Sequence, residues 1–136
     1  MVAKPPTVAD LTWAGGYTFA ATSDHGSITL DSAGHAGPSP VQALAFALAG
    51  CMAMDLVHIL TKGRFSFRTM KAHLVAARAD EIPHRILSMT LHFTIEGDVT
   101  PDAVDRAIAL SRETYCSVWH SLREDIALTV THDIRA

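Results

Sequence analysis

The stretch that most constrains this chain is an apolar segment that runs from Gly37 to Gly63. At its start, Pro40 fits the first position of a helix, and the hydroxyl of Ser39 can accept hydrogen bonds from the first free amides. At its end, Lys62 provides a cation near the negative helix pole, and Gly63 can adopt the left-handed conformation that closes many helices. The segment therefore predicts a helix from Pro40 to Lys62.

The middle of this predicted helix has no polar side. Between Ala43 and Met54 no side chain is charged or strongly polar, so we expect other protein groups to cover the helix all round. The uncharged run of 12 residues is shorter than the roughly 20 residues that span a bilayer, which predicts no membrane partner. Small residues stand at positions 43, 45, 47, 49, 50 and 53. They favour close packing against a second copy of the helix, and hence a homodimer.

Composition places the chain among globular proteins of one domain. A length of 136 residues fits a single domain over residues 1–136, and 49% hydrophobic residues allow a real core. The net charge of −3 and the lack of a Lys/Arg cluster argue against a nucleic-acid partner. The N-terminus lacks the apolar core of a signal peptide, so we expect a cytoplasmic protein. Two cysteines in a reducing compartment are more typical of free thiols than of a structural disulfide.

The rest of the sequence predicts an α+β domain. Short strand patterns with glycine turns in residues 7–31 predict a small antiparallel meander. The strict alternation from Leu87 to Ile95 predicts a half-buried strand, and a weaker alternation from Met70 to Ala76 predicts the strand before it. A helix start is indicated at Thr100-Pro101-Asp102, and a last strand in the segment DIALTVTHDI, residues 125–134. Strands, long helix, two strands, helix and strand, in that order, favour α+β rather than alternating βα units.

Both cysteine neighbourhoods resemble the OsmC/Ohr family. The segment GPSPVQALAFALAGCMAMDLVHILTKGR resembles that family's helix, which a proline opens and which carries a reactive cysteine in its middle. The segment TLHFTIEG resembles the family's long central strand, and AIALSRETYCSV resembles the segment with its second cysteine. The resemblance covers nearly the whole chain, and the two cysteines lie 65 positions apart.

The resemblance implies a fold and an activity. The fold would be OsmC-like, with antiparallel sheets around a long central helix, in an intertwined homodimer with two active sites at the subunit interface. The activity would be a peroxiredoxin-like, thiol-dependent reduction of organic hydroperoxides and hydrogen peroxide in a stress response. Cys51 would attack the peroxide and Cys116 would resolve the sulfenic acid as a disulfide. The implied partners are a small hydroperoxide and a thiol reductant, with no cofactor and no metal.

Two positions depart from the peroxidase members that the chain resembles. In those members a glutamate directly follows the proline that opens the helix, whereas this chain has Val41 there. Their second partner is an arginine from the N-terminal region, and here no arginine precedes Arg64. The chain is therefore similar to a subgroup that lacks the glutamate. An alternative function is a non-catalytic dimer of this fold that binds a small apolar ligand or senses redox state.

A reactive Cys51 requires a cation nearby. Only the thiolate attacks a peroxide, and an apolar position in a helix disfavours that anion. Arg64 lies 13 residues further on, about 20 Å along the helix axis, so it is better placed to serve a partner subunit. Arg112 is one turn from Cys116 and can reach back toward it. His35, in the loop before the helix, is a substitute for the family's arginine.

Asp55 and His58 follow Cys51 by four and seven positions, which puts all three on one helix stripe. Three interpretations stay open at this level. The carboxylate and imidazole could form a proton relay with the thiol, they could join it and Cys116 as metal ligands, or they could mark where the helix meets solvent. Cys116 could itself lie at a helix N-terminus, but no proline or glycine near it shows whether the residues from 101 to 122 form one helix or two.

Overall fold

A computed structural model describes residues 3–136 of the protein. The chain divides into two compact units, the first ending at Leu44 and the second covering Ala45–Ala136. That both belong to one domain of residues 1–136 stays a prediction.

The first unit is the predicted meander. Its three strands are β1 (Asp10–Trp13), β2 (Thr18–Ser23) and β3 (Gly26–Asp31), and they pair antiparallel in the order β1-β2-β3. A pair between Ser23 and Gly26 closes the β2–β3 hairpin around a two-residue loop. The prediction of a small antiparallel sheet in residues 7–31 is confirmed.

The long helix α1 (Pro40–Lys62) has the predicted bounds. The Ser39 hydroxyl accepts a hydrogen bond from the Gln42 N–H at 3.2 Å, as expected for a helix cap. The Gln42 side chain in turn accepts one from the Ser39 N–H at 2.9 Å, which completes a capping box. Two otherwise unpaired amides at the start of α1 are thus satisfied.

The residue predicted to close α1 in the left-handed conformation was wrong by one position. The left-handed residue is Arg64, with φ of 66°, and not Gly63. The Gly63 N–H still donates to the Ile59 carbonyl at 3.0 Å, so the helical bonding continues past Lys62. Two hydrogen bonds of 3.0 Å then end the helix. One runs from the Arg64 N–H to the Thr61 carbonyl, and the other from the Phe65 N–H to the Leu60 carbonyl. This is a Schellman motif with an arginine where glycine is usual.

The sheet of the second unit contains β4 (Ser66–Arg78), β5 (Ile86–Asp98) and β6 (Ala127–Arg135), in that order. β4 pairs antiparallel to β5, but β6 pairs parallel to it. The sheet is therefore mixed, and the expectation of antiparallel sheets does not hold for β6. The connection from Asp98 to Ala127 contains helices, which gives it the length that a parallel crossover requires.

That connection contains α2 (Pro101–Leu110), a π-helical turn (Ser111–Tyr115) and α3 (Ser117–His120). The predicted cap is present, since the Thr100 hydroxyl accepts a hydrogen bond from the Ala103 N–H at 3.2 Å. The helical path breaks at Cys116, whose φ of −75° and ψ of 98° are extended. The sequence left the choice between one helix and two open, and the structure shows a break with neither proline nor glycine.

One stripe of α1 and one face of β5 form the centre of the second unit's core. The buried residues of α1 recur every four positions: Leu48, Met52, Leu56 and Leu60. Four of the five predicted positions of β5 are buried in alternation, namely Met89, Leu91, Phe93 and Ile95, whereas Leu87 is 42% exposed. Other residues of α1 stay exposed within one chain, among them Phe46 at 68% and Met54 at 72%. Packing against β5 therefore does not cover α1 on all sides within one chain, contrary to the expectation.

By length and composition alone, α1 could cross a bilayer. It has 23 residues, with a mean hydropathy of 1.9 over an 18-residue window that is 22% buried. The prediction that this segment is too short to cross a bilayer was wrong, because the helix of 23 residues extends beyond the uncharged run in its middle. The core helix of a soluble protein meets the same criteria, and four side chains of α1, those of Leu48, Met52, Leu56 and Leu60, belong to the core.

Candidate functional site

The structure brings the two cysteines together within one chain. Cys51 lies in the middle of α1 and is half-buried, whereas Cys116 is fully buried between the π-helical turn and α3. Both are free thiols. The Cys51 thiol lies close enough to Cys116 to raise the pKa of the Cys116 thiol. The fold therefore brings close together two cysteines that are far apart in the sequence.

Backbone groups on both sides hold Cys116 in place. Its N–H donates to the Ser111 carbonyl at 2.8 Å, across the π-helical turn. Its sulfur accepts a hydrogen bond from the Trp119 N–H at 3.4 Å and so caps α3. The suggestion that Cys116 begins a helix therefore matches the structure, although α3 has only 4 residues.

The surroundings of Cys116 favour its neutral thiol. Burial is the main cause that raises its pKa, to about 11, while the Trp119 N–H acts in the opposite direction. The Cys51 thiol and the Asp55 carboxylate raise the pKa further. None of these causes is a cation. At neutral pH Cys116 is thus protonated.

A carboxylate and a hydroxyl extend the site. The Ser111 hydroxyl donates to the Asp55 carboxylate at 2.7 Å, and Ser111 is fully buried. Asp55 is half-buried one turn beyond Cys51. Ser111 was not predicted as a site residue. The signal that could have found it is its place as a polar residue on the buried side of α2 and the turn that follows.

The other predicted supporting residues are spread out. His58 is exposed, and no three His, Cys, Asp or Glu side chains between residues 3 and 136 converge as metal ligands. The arrangement of Cys51, Asp55 and His58 as metal ligands is therefore not formed within one chain. The Arg112 guanidinium lies over the Trp119 ring, 5.9 Å from its centre. Arg112 thus contacts Trp119, whose N–H bonds the Cys116 sulfur, and not the Cys116 thiol itself.

Two further candidates lie elsewhere. Arg64 is exposed at the closure of α1, 13 residues after Cys51. His35 is exposed in the loop after β3, within the first unit.

A cavity of about 690 Å³ adjoins Asp55. Its lining comes from the second half of α1, from α2 and from the π-helical turn: Asp55, His58, Ile59, Lys62, Gly63, Arg106, Leu110 and Tyr115. Lys62 is two helical turns beyond Asp55, about 10 Å along the axis. A space of this volume accommodates a small organic molecule. Because Asp55 also bonds Ser111, the cavity reaches the edge of the thiol site.

The mixed α+β fold and the thiol pair define an OsmC-like protein, and the sequence comparisons agree. The profile of the OsmC-like protein family matches residues 32–131. The chain is 36% identical to the protein YhfA of Escherichia coli K12 over 131 residues, which cover 94% of this chain and 98% of that protein. The chain belongs to the OsmC-like family.

Solved structures confirm the predicted OsmC-like fold. A hypothetical protein of Aquifex aeolicus superimposes with a TM-score of 0.90 at 24% identity, covering 97% of this chain and 98% of the other. An organic hydroperoxide resistance protein OsmC of Legionella pneumophila, also described as a predicted redox protein, gives 0.72 at 17% identity, with 97% and 99% covered. At these identities the likeness concerns the fold alone.

Proposed function

We propose that this protein reduces organic hydroperoxides and hydrogen peroxide, with Cys51 as the attacking thiol and Cys116 as the resolving thiol. The observation that carries the proposal is that a buried Cys116 lies close enough to Cys51, inside a single chain of this family, for Cys51 to raise its pKa. The Legionella relative described as a hydroperoxide resistance protein supports the same reaction class.

In the first step the Cys51 thiolate attacks an oxygen of the hydroperoxide. A sulfur–oxygen bond forms, the oxygen–oxygen bond breaks, and the leaving alkoxide takes a proton and departs as an alcohol. Cys51 is oxidised to a sulfenic acid. The raised pKa of Cys116 supports this assignment, because a thiol that stays protonated can donate a hydrogen bond to the Cys51 thiolate.

In the second step Cys116 attacks the sulfur of the Cys51 sulfenic acid. A disulfide forms, and the hydroxyl group leaves with the Cys116 proton as water. An external dithiol then reduces the disulfide by exchange and is itself oxidised, so each turnover transfers two electrons from that reductant to the peroxide.

The proposed working form is a cytoplasmic homodimer that uses the exposed apolar side chains of α1. Phe46, Met54 and Val57 are 68%, 72% and 42% exposed within one chain, which is unusual for apolar side chains in the middle of a long helix. A dimer would also allow Arg64 of one subunit to serve the thiol of the other. Met54→Glu should shift the protein to a monomer in sedimentation velocity, whereas Ala109→Glu, on the exposed side of α2, should leave the dimer unchanged.

Mass spectrometry after one equivalent of cumene hydroperoxide tests the reaction. We expect the reduced protein to lose two hydrogens and to yield a peptide that links Cys51 to Cys116. The variant Cys116→Ser should instead trap a sulfenic acid that dimedone labels at Cys51, and Cys51→Ser should do neither. Two thiols that stay free in the unsubstituted protein would exclude the reductase function.

A binding function is the second candidate, and the cavity beside Asp55 favours it. Val41 in place of a glutamate also fits a site without turnover. In this case the protein should bind 1-anilinonaphthalene-8-sulfonate, and Cys51→Ser should leave the Kd unchanged. A tenfold weaker Kd in that variant would count against a binding role that is independent of the thiol.

A further inference from the structure

Two histidines lie side by side on the face of the second unit's sheet that points away from the core. His73 of β4 and His92 of β5 are direct partners in the antiparallel register. Side chains alternate between the two faces of a strand. Phe93, the next residue of β5, is fully buried, and Leu74, the next residue of β4, packs against the core. Both imidazoles therefore project from the opposite, outer face.

This position puts the two rings within reach of one ion. Residues directly opposite each other on antiparallel strands have Cβ atoms about 4.5–5.5 Å apart. An imidazole nitrogen binds Zn²⁺ at about 2.0–2.1 Å, so two rings that start from such neighbouring Cβ atoms can share an ion between them. His73 is exposed and His92 is half-buried, so solvent reaches the pair.

A hydroxyl on the third strand fixes the ring of His92. Thr131 of β6 is the partner of His92 in the parallel register, and its hydroxyl oxygen lies 2.6 Å from the His92 Nδ1 atom. With the proton assigned to Nδ1, the ring donates to this hydroxyl, and Nε2 keeps a free lone pair. Histidines that bind metals commonly have this arrangement, in which one nitrogen binds the ion and the other donates to a neighbouring acceptor.

We propose that His73 and His92 form a binding site for a divalent transition metal ion that prefers imidazole, for which Zn²⁺ is the probe. Nε2 of His92 and one ring nitrogen of His73 are the protein ligands, and water fills the other positions. Thr131 is a positioning residue, because it acts on the ion only through the His92 ring. The site has two protein ligands, so it agrees with the finding that no three such side chains converge in residues 3–136. It does not depend on the thiol pair or on the proposed reductase function.

The neighbouring charges on this face nearly balance. In the next row of the register Lys71 pairs with Thr94, and Thr94 pairs with Asp133. The Lys71 ammonium repels a cation and the Asp133 carboxylate attracts it, although Asp133 also bonds Arg135 at 3.3 Å. The row on the other side of the histidines is uncharged: Val75, Thr90 and Thr129. Affinity therefore comes from the imidazoles, which favours an ion that binds nitrogen over Ca²⁺ or Mg²⁺.

Calorimetric titration with Zn²⁺ tests the two ligands. Because thiolates also bind zinc, the parent for this titration is a metal-free Cys51→Ser/Cys116→Ala protein. We expect one ion per chain. His73→Gln and His92→Gln should each raise the Kd at least tenfold, since even the loss of a contact that supports a ligand costs about 10–100-fold. The matched control His25→Gln removes an exposed histidine from the β2–β3 loop and should leave the Kd unchanged.

A second set of variants tests the positioning role. Thr131→Val removes the hydroxyl and should raise the Kd for Zn²⁺ about tenfold, whereas Thr131→Ser keeps the hydroxyl and should restore the parent value. The matched control Thr129→Val changes the preceding outward residue of the same strand and should have no effect. Equal Kd values for Thr131→Val and Thr129→Val would overturn the role of Thr131.

NMR on the unsubstituted, reduced protein gives a measurement that needs no cysteine variant to fold. As Zn²⁺ is added, the ring ¹H–¹⁵N signals of His73 and His92 should shift together along one binding curve, while those of His25 stay in place. Equal Kd values in the three His→Gln variants, or equal shifts of all three rings, would overturn the proposal, because scattered surface histidines would then hold the ion. Rings of His73 and His92 that do not shift at millimolar Zn²⁺ would overturn it as well.

Discussion

The backbone N–H of Trp119 donates a hydrogen bond to the sulfur of Cys116 at 3.4 Å. This bond joins one member of the thiol pair to the backbone of Trp119, and the Arg112 guanidinium lies 5.9 Å from the centre of the Trp119 ring. A disulfide has strict demands on distance and dihedral angle. If Cys116 turns its sulfur toward Cys51 to form one, it must weaken the bond to Trp119 and change the environment of the ring.

Trp119 fluorescence should therefore report the oxidation of the thiol pair. In a Trp13→Phe variant, which removes the exposed tryptophan of β1, cumene hydroperoxide should change the emission, because weakening the bond between the Cys116 sulfur and the Trp119 N–H alters the surroundings of the ring. Dithiothreitol should restore the signal. The matched Trp13→Phe/Cys116→Ser variant should show no such change. An equal change in fluorescence in both variants would show that the signal does not come from disulfide formation.

Stability should fall at alkaline pH because of Cys116. Its pKa is raised to about 11, mainly by burial, whereas a thiol in the unfolded chain titrates near 8.5. Between these values the folded state keeps a proton that the unfolded state loses, so the free energy of unfolding decreases as the pH rises. The loss is on the order of 2–3 kcal/mol by pH 11. Urea unfolding under reducing conditions should show a steeper decline from pH 8 to 11 for the unsubstituted protein than for Cys116→Ala. Parallel curves would contradict the shift.

Elements with a strong local signal could be predicted from the sequence. Ser39 and Pro40 marked the start of α1, and the strict alternation in β5 marked its buried face, because capping and side-chain periodicity depend on neighbours along the chain. The two cysteines were paired only through resemblance to a family. Their contact in the structure depends on how α1 packs against the segment after α2, which no local pattern encodes.

The features that were missed depend on tertiary contacts. Cys116 breaks a helix without proline or glycine, because Ser111 and Trp119 satisfy its polar groups. β6 pairs parallel to β5 because the helices between them return the chain to the same edge of the sheet. Arg64 takes the left-handed position because the hydrogen bonds of the Schellman motif outweigh its conformational cost.

That cost gives a prediction for Arg64. A residue with a Cβ loses about 1 kcal/mol or more in the left-handed region, and glycine does not. Arg64→Gly should raise the free energy of unfolding by about 0.5–1 kcal/mol, after allowing for the greater entropy of glycine in the unfolded chain. Arg64→Ala, which keeps the Cβ, should give no gain, and thermal melts compare the two. If Arg64 serves the thiol of a partner subunit, both variants should also lose peroxidase activity. A gain in stability for Arg64→Ala as well would place the effect in the arginine side chain instead of the backbone.

Gly97 should be the glycine of β5 that tolerates no side chain. Its φ is 148°, and a Cβ built on it would lie 2.4 Å from the Phe67 Cα and 2.7 Å from the Ser66 carbonyl oxygen. Both contacts are with backbone at the irregular start of the β4–β5 pairing, so relief requires moving a strand. Gly97→Ala should destabilise the protein by at least 1–3 kcal/mol, the order of a residue held in a sparsely populated conformation. The control Gly26→Ala, where an added Cβ meets nothing within 4 Å, should stay within about 0.5 kcal/mol of the parent in urea unfolding. Equal losses in the two variants would show that the close approach at Gly97 does not exist in solution.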